Sequence, residues 1–271
     1  MHITTFPAEG YKKTLSIDSF SKILSVAVSN GKEIYYAETN PEMRHSELAM
    51  EIIDNLMNKA ALTPSDLQGV LCMAGPGSFT GLRIGYSIAK GLALCLSIPF
   101  AAIPTLYCIA YQKHIEEQSL VNNDSRPPNP DSRFTASDSP IILTLIEARK
   151  NSYFYAFFKN NQRLTPDKEG DSAEITEEIK QYCFAPPFAS LPCPALTGPA
   201  SAGFYDSLPQ ELKEKIVLRY ENKGYANELL HIANIRKILD NDTSMFLYAG
   251  PEYIRESDAQ ASLSVKTELL K

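Results

Sequence analysis

Two acids close apolar segments of this chain: Asp18 follows Leu15-Ser16-Ile17, and Glu147 follows Leu143-Thr144-Leu145-Ile146. Facing carboxylates can divide a proton transfer between them, one as acid and one as base. Such work needs a nucleophile or a metal, and neither stretch offers one, so both acids are expected to play a structural role in a cleft, tying up turn amides. The four histidines, His2, His45, His114 and His231, stand far apart. Two imidazoles reach one ion from a helix only at i and i+4, and the residue four beyond His45 is Ala49. The glycine turn Gly75-Pro76-Gly77-Ser78-Phe79-Thr80-Gly81 fits neither phosphate template. It lacks the Lys-Ser/Thr of a P-loop, and Thr80 breaks a G-x-G-x-x-G. Pro76 also removes an N–H donor. Ser78 or Thr80 is expected to cap the helix that follows. The five cysteines (Cys72, Cys95, Cys108, Cys183, Cys193) are odd in number with no C-x-x-C pair, and are read as reduced and structural. No catalytic, cofactor-binding or metal-binding residue is expected.

The elements that hold these residues follow from apolar spacing. Residues 1–12 read as a polar lead-in. Leu15–Asp18, Leu24–Val28 and Ile34–Glu38 read as a three-strand meander, with Asn30-Gly31 as a type I′ hairpin turn. Asn40-Pro41 offers a helix start. Leu48, Ile52, Ile53, Leu56, Met57 and Ala60 then form a helical stripe. Gly69–Ala74 is a buried strand running into the glycine turn and a helix from Leu82 to Leu96. That helix sets Gly81, Gly85, Ala89 and Ala93 four apart, a row that admits another backbone closely. Its target is either the chain's own sheet or a second molecule, and spacing does not choose between them. The uncharged stretch Gly91–Gln112 is long enough for a membrane span. Pro99 and Pro104 divide it instead into a helix end, a strand at Phe100–Ile103 and a new helix. Residues 119–140, rich in Pro, Ser, Asn and Asp, read as a linker or mobile loop. The expected division is a first lobe at 13–118, that linker, and a smaller second lobe at 141–271, including a helix at about Tyr225–Leu239.

After the linker the opening pattern returns. Counted from Asp18 and from Glu147, Leu24, Val26, Ala27 and Val28 align with Tyr153, Tyr155, Ala156 and Phe157. Ala195-Leu196-Thr197-Gly198-Pro199-Ala200-Ser201 then echoes Met73–Ser78. Two echoes in order suggest a duplicated βββαβα unit, an α/β fold of two lobes that resembles the actin/sugar-kinase/Hsp70 (ASKHA) superfamily. ATP-using members of that superfamily cradle phosphate in an Asp-x-Gly-x-Thr/Ser turn. Here the turn reads Asp18-Ser19-Phe20-Ser21-Lys22, and a ring in place of glycine blocks close approach.

The run Gly75-Pro76-Gly77-Ser78-Phe79-Thr80-Gly81-Leu82-Arg83-Ile84-Gly85 resembles the TsaB (YeaZ) family. So do the strand ending in Asp18, His45-Ser46-Glu47, Ala89–Ala93, Glu147-Ala148-Arg149 with Tyr153, and Pro251–Arg255. The resemblance implies a non-catalytic scaffold or activator that binds TsaD, a related and catalytically competent subunit carrying metal and nucleotide. With TsaE, joined through the complex, the pair supports threonylcarbamoyl transfer to the adenosine next to the anticodon. It further implies a cytoplasmic protein that meets tRNA only indirectly and needs no cofactor or membrane, with a pairing surface that can support a homodimer when TsaD is absent. The helices near His45–Ala60 and Gly81–Leu96 resemble the family's pairing surface, which assigns His45, Glu47, Leu48, Ile52, Gly81, Arg83, Gly85, Ile88, Ala89 and Leu92 to the partner interface. Phe20, Glu147 and Asn151-Ser152 depart from the family pattern. Two other classes stay open: an active ASKHA-type enzyme, metal- or ATP-dependent, and an RNA-binding module. The net charge of −6 and scattered Lys and Arg speak against tight RNA binding by the chain itself.

Overall fold

The computed structural model describes residues 2–41, 44–111, 140–186, 194–220, 222–241, 243 and 249–252. All of the 119–140 stretch except Pro140, and with it His114, Cys193 and residues 253–255 of the tail, lies outside the described residues.

The first sheet comprises β1 (Thr4–Pro7), β2 (Thr14–Asp18), β3 (Leu24–Ser29), β4 (Glu33–Thr39), β5 (Gly69–Gly75) and β6 (Phe100–Pro104). Their order is β1-β4-β3-β2-β5-β6. The meander is antiparallel, and β2, β5 and β6 run parallel. The lead-in is more than that: β1 adds an antiparallel edge strand to β4. The hairpin at Asn30 is not type I′, because only Gly31 has positive φ (94°). Asn30 Oδ1 instead accepts from the amides of Lys32 and Glu33, the side chain replacing part of the turn's backbone bonding.

Helices α1 (His45–Lys59) and α2 (Phe79–Leu96) cover one face of this sheet. α1 begins four residues beyond Pro41, with Arg44 at the N-cap and no side-chain cap. α2 begins where Ser78 Oγ accepts from the Gly81 amide, 3.2 Å away. β6 and a new helix, α3, described from Thr105 to Tyr111, break the uncharged stretch as its prolines required. No helix among the described residues is long and apolar enough to cross a membrane.

The second sheet comprises β7 (Ile142–Arg149), β8 (Ser152–Lys159), β9 (Gln162–Arg163), β10 (Lys168–Asp171), β11 (Ala195–Thr197) and β12 (Val217–Arg219). Its order is β10-β8-β7-β11-β12, with β9 paired to β8. Set aside β1 and β9, and both sheets read third-second-first-fourth-fifth, with three antiparallel strands followed by parallel ones. This is the duplication the sequence suggested. α4 (Ser172–Ile179), α5 (Ser201–Ser207) and α6 (Gln210–Lys213) lie on its outer side, and α7 (Ala226–Ile235) follows β12.

α3 and α7 fill the space between the sheets. Leu106, Cys108 and Ile109 of α3 and Leu229, Leu230 and Ile232 of α7 share one buried cluster with Leu71, Ile103, Ile142, Ile146 and Phe158. Both inner faces are therefore covered by helices, which is why β5, β7 and β8 read as nearly continuous apolar runs.

Candidate docking face and the turn beneath it

Asp18 ends β2 at complete burial. Its Oδ1 accepts from the Phe20 amide (3.2 Å), and its Oδ2 accepts from Ser25 Oγ (3.2 Å) and from the Tyr225 amide (2.7 Å). Burial pushes its pKa up; the three donors oppose that, nearby Glu228 adds to it, and the result is about 7. Tyr36 and Cys108 lie close enough to feel its charge. Phe20 is itself buried, its ring 6.0 Å from that of Tyr225. A Cβ on Gly77 would lie 2.8 Å from Phe20 Cβ and 2.9 Å from its carbonyl oxygen. The ring thus closes the turn that glycine would have left open. Glycine is needed instead at Gly77, which faces it.

The rest of the turn braces both outer helices. Ser19 Oγ donates to the Gly81 carbonyl (2.8 Å), and the Ser78 amide donates to the Phe20 carbonyl (2.7 Å). On the other side, His45 Nε2 lies 3.1 Å from the Ser21 carbonyl. Burial lowers the His45 pKa, which favours the neutral ring donating Nε2–H to that oxygen.

The predicted interface residues divide into two groups. Gly81, Gly85, Ala89 and Ala93 are buried against the chain's own sheet and turn. A Cβ on Gly85 would lie 2.6 Å from Ser19 Oγ. The small-residue row is therefore an internal packing face. His45 and Ile52 also point inward. Glu47 and Arg83 are exposed, while Leu48, Ile88 and Leu92 are half-buried over the core of this lobe. Arg83 stacks its guanidinium 3.8 Å over the Phe79 ring. The outward side of α2 adds half-buried Ile84, exposed Cys95 and Leu94 (59% exposed), and α1 adds Met50 (42%). Gly91 is exposed too, and a Cβ there would meet nothing.

The two acids are not counterparts. Glu147 is exposed, whereas Asp18 is sealed. Ser16 pairs with Ala27, and Thr144 with Ala156, and each hydroxyl donates to its partner's carbonyl at 3.3 Å. Two residues beyond Ser16 is Asp18, and two beyond Thr144 is Ile146. The alignment counted from the acids is therefore one residue out of register in the first strand, which swaps its faces, while in the second strand Ala27 and Ala156 are matched as counted. The carboxylate that does approach Asp18 is Glu228 on α7, ion-paired with Lys223 at 3.2 Å. Tyr225, Glu228 and Ser25 carried no local signal, since they meet Asp18 only through the fold. Among the described residues no three His, Cys, Asp or Glu side chains are grouped to hold a metal ion. Cys72, Cys108 and Cys183 are buried, as expected of structural thiols, but Cys95 is exposed.

Comparison with known proteins gives a consistent picture. Residues 38–125 match the family model described as TsaD, tRNA N6-adenosine threonylcarbamoyltransferase. Three curated relatives are each described as tRNA threonylcarbamoyladenosine biosynthesis protein TsaB. That of Buchnera aphidicola subsp. Schizaphis graminum is 37% identical over 110 residues, covering 40% of this chain and 52% of the relative. That of Bacillus subtilis is 37% identical over 98 residues, covering 35% and 42%. That of Escherichia coli is 32% identical over 168 residues, covering 62% and 64%. The chain thus spans about half the length of the curated relatives it matches. Among solved structures, YeaZ from Pseudomonas aeruginosa superposes with a TM-score of 0.63 at 18% identity, covering 89% of this chain and 99% of that one. A protein described as similar to peptidase YEAZ from the same organism gives 0.68 at 19%, covering 90% and 100%. These neighbours bear on the fold, which is a duplicated ASKHA-like architecture.

Proposed function

We propose a docking role for this chain, which belongs to the TsaB/YeaZ family: it serves tRNA threonylcarbamoyladenosine biosynthesis in the cytoplasm as a non-catalytic subunit that binds TsaD through the outward side of α1 and α2. The observation that carries this reading is the apolar outer row of α2. Ile84, Ile88 and Leu92 are half-buried beside exposed Leu94 and Cys95, although the same helix has already buried a complete face inward. A helix apolar on both sides has a second surface to cover. Gly91, open to solvent in the middle of that row, lets a partner helix come close. Glu47 and Arg83 lie exposed on the same two helices and supply a polar rim. The inward residues His45, Ile52, Gly81, Gly85 and Ala89 support this face from below. TsaE would join through the complex and tRNA would be met indirectly, in keeping with the net charge of −6.

The absence of catalysis is part of the proposal. Phe20 fills the first turn, and Asp18 is fully buried beneath it, its two oxygens accepting from the Phe20 amide, Ser25 Oγ and the Tyr225 amide.

The test is association with TsaD. The wild-type pair should co-elute as a complex burying on the order of 1,600 Å² or more. The double variant Ile88→Asp, Leu92→Asp should elute alone with an unchanged circular-dichroism spectrum. Co-elution of that folded double variant with TsaD would remove the docking assignment.

A further inference from the structure

We propose that the turn from Asp18 to Ile23 is a mechanical connector, joining the first turns of both outer helices to the start of α7, so that order at the docking face and the seating of α7 between the lobes depend on one another. Four consecutive residues make the connection. Asp18 accepts from the Tyr225 amide at the head of α7. Ser19 donates to Gly81 in the first turn of α2, and Phe20 accepts from Ser78 at its cap. Ser21 receives His45 at the first residue of α1. Three helices from different parts of the chain therefore begin on one six-residue segment.

The joint to α7 is the unusual one. That helix has no side-chain cap of its own. Its first amides are satisfied from the first sheet, Tyr225 by Asp18 and Ala226 by Ser25 Oγ at 3.1 Å. Ser16 Oγ donates to the Ala226 carbonyl at 2.7 Å, and Glu38 accepts from the Gly224 amide at 2.8 Å. A helix whose opening amides are capped by another element is ordered only while that element stays in place. The turn cannot shift toward α1 or α2 without moving Asp18, because Phe20 is wedged between Gly77 and Tyr225. Interfaces packed this closely pass displacement on and do not absorb it. Energetic coupling of this kind acts equally in both directions.

The inference gives a regulation to the docking face and rests on that reading for its biological meaning, but the connector is tested on the isolated chain. Amide hydrogen exchange is measured, corrected for intrinsic rates, in wild type and in His45→Ala. That substitution touches neither α7 nor Asp18. The connector predicts that protection at residues 225 and 226 falls about fivefold, the change expected when a bond of ~1 kcal/mol is lost from the bracing network. Amides of α4 and β10 should keep their wild-type protection. The reciprocal variant, Ser25→Ala, removes the acceptor for Ala226 and should raise exchange in the first turn of α1, at residues 47–49. Unchanged protection at the distant end in both variants overturns the connector, and so does a uniform loss across the whole chain. Loss of TsaD binding in the Ile88/Leu92 variant speaks only to the docking face, so the two ideas fail separately.

Discussion

Gly81 and Gly91 lie on the same helix and answer opposite questions about it, which makes their alanine variants a sharp measurement. At Gly81 an added Cβ would overlap the carbonyl oxygen of Ser19 and lie 3.2 Å from its carbon and 3.3 Å from Ser78 Cβ. The obstacle is backbone, held by the turn's own hydrogen bonds, so relief requires α2 to lift from β2. Overpacking of this kind costs about 1–3 kcal/mol, and more where the neighbour is rigid. Replacing a helical glycine by alanine returns about 0.5–1 kcal/mol through propensity. The net expected for Gly81→Ala is a loss of about 2 kcal/mol. At Gly91 nothing stands within reach of the new methyl. Only the propensity gain applies there, and Gly91→Ala should be more stable than wild type by up to ~1 kcal/mol. The two variants should then differ by about 3 kcal/mol, which urea titration of the isolated chain resolves as midpoints about 1 M apart. Equal midpoints, or a stabilised Gly81→Ala, would mean that α2 does not rest on Ser19, and the inward assignment of the small-residue row would fall with it.

Two further outcomes follow from the polar groups. Asp171 caps α4 by accepting from the amides of Ala173 (2.8 Å) and Glu174 (3.0 Å), while Glu174 returns a bond to the Asp171 amide; Asp171→Ala should cost ~1 kcal/mol in the same titration. Burial raises the Asp18 pKa from 3.8 to about 7, so between those values the folded chain holds a proton that the unfolded chain has released. The stabilisation is full below pH 4 and is lost as pH rises through 7. The stability of wild type relative to Asp18→Asn should therefore fall by a few kcal/mol from pH 4 to pH 8, and a flat difference would show that the carboxyl is not buried as described.

Much of the fold was legible because its signals were local. Pro99 and Pro104 marked the division between α2, β6 and α3, and the paired three-strand pattern announced the duplication. What escaped depended on contacts between distant residues. β7 and β8 are buried on both faces, so Leu143–Ile146 carries no alternation to fix its register, and Glu147 was matched to Asp18 one position too far. The row Gly81, Gly85, Ala89 and Ala93 showed that something would approach closely but not from which side. Asn160-Asn161, both with positive φ, turns β8 into β9, and two asparagines in that place are a readable hairpin signal. Two of the groups that meet Asp18, the Tyr225 amide and the Glu228 carboxylate, lie more than two hundred residues along the chain, beyond the reach of any spacing rule.

The exchange of α3 and α7 across the midline has a consequence for how such a molecule comes apart. Tyr107 of α3 lies 6.2 Å from Phe158 of the second sheet, while α7 returns to cover Ser16 and Asp18 of the first. A gene cut between the repeats would yield fragments that each lack the wedge filling their inner surface, leaving Leu71 and Ile103 on one and Ile142 and Phe158 on the other open to water. Ancestral doubling has here ended in mutual dependence, and melting should register as a single calorimetric peak shared by both repeats.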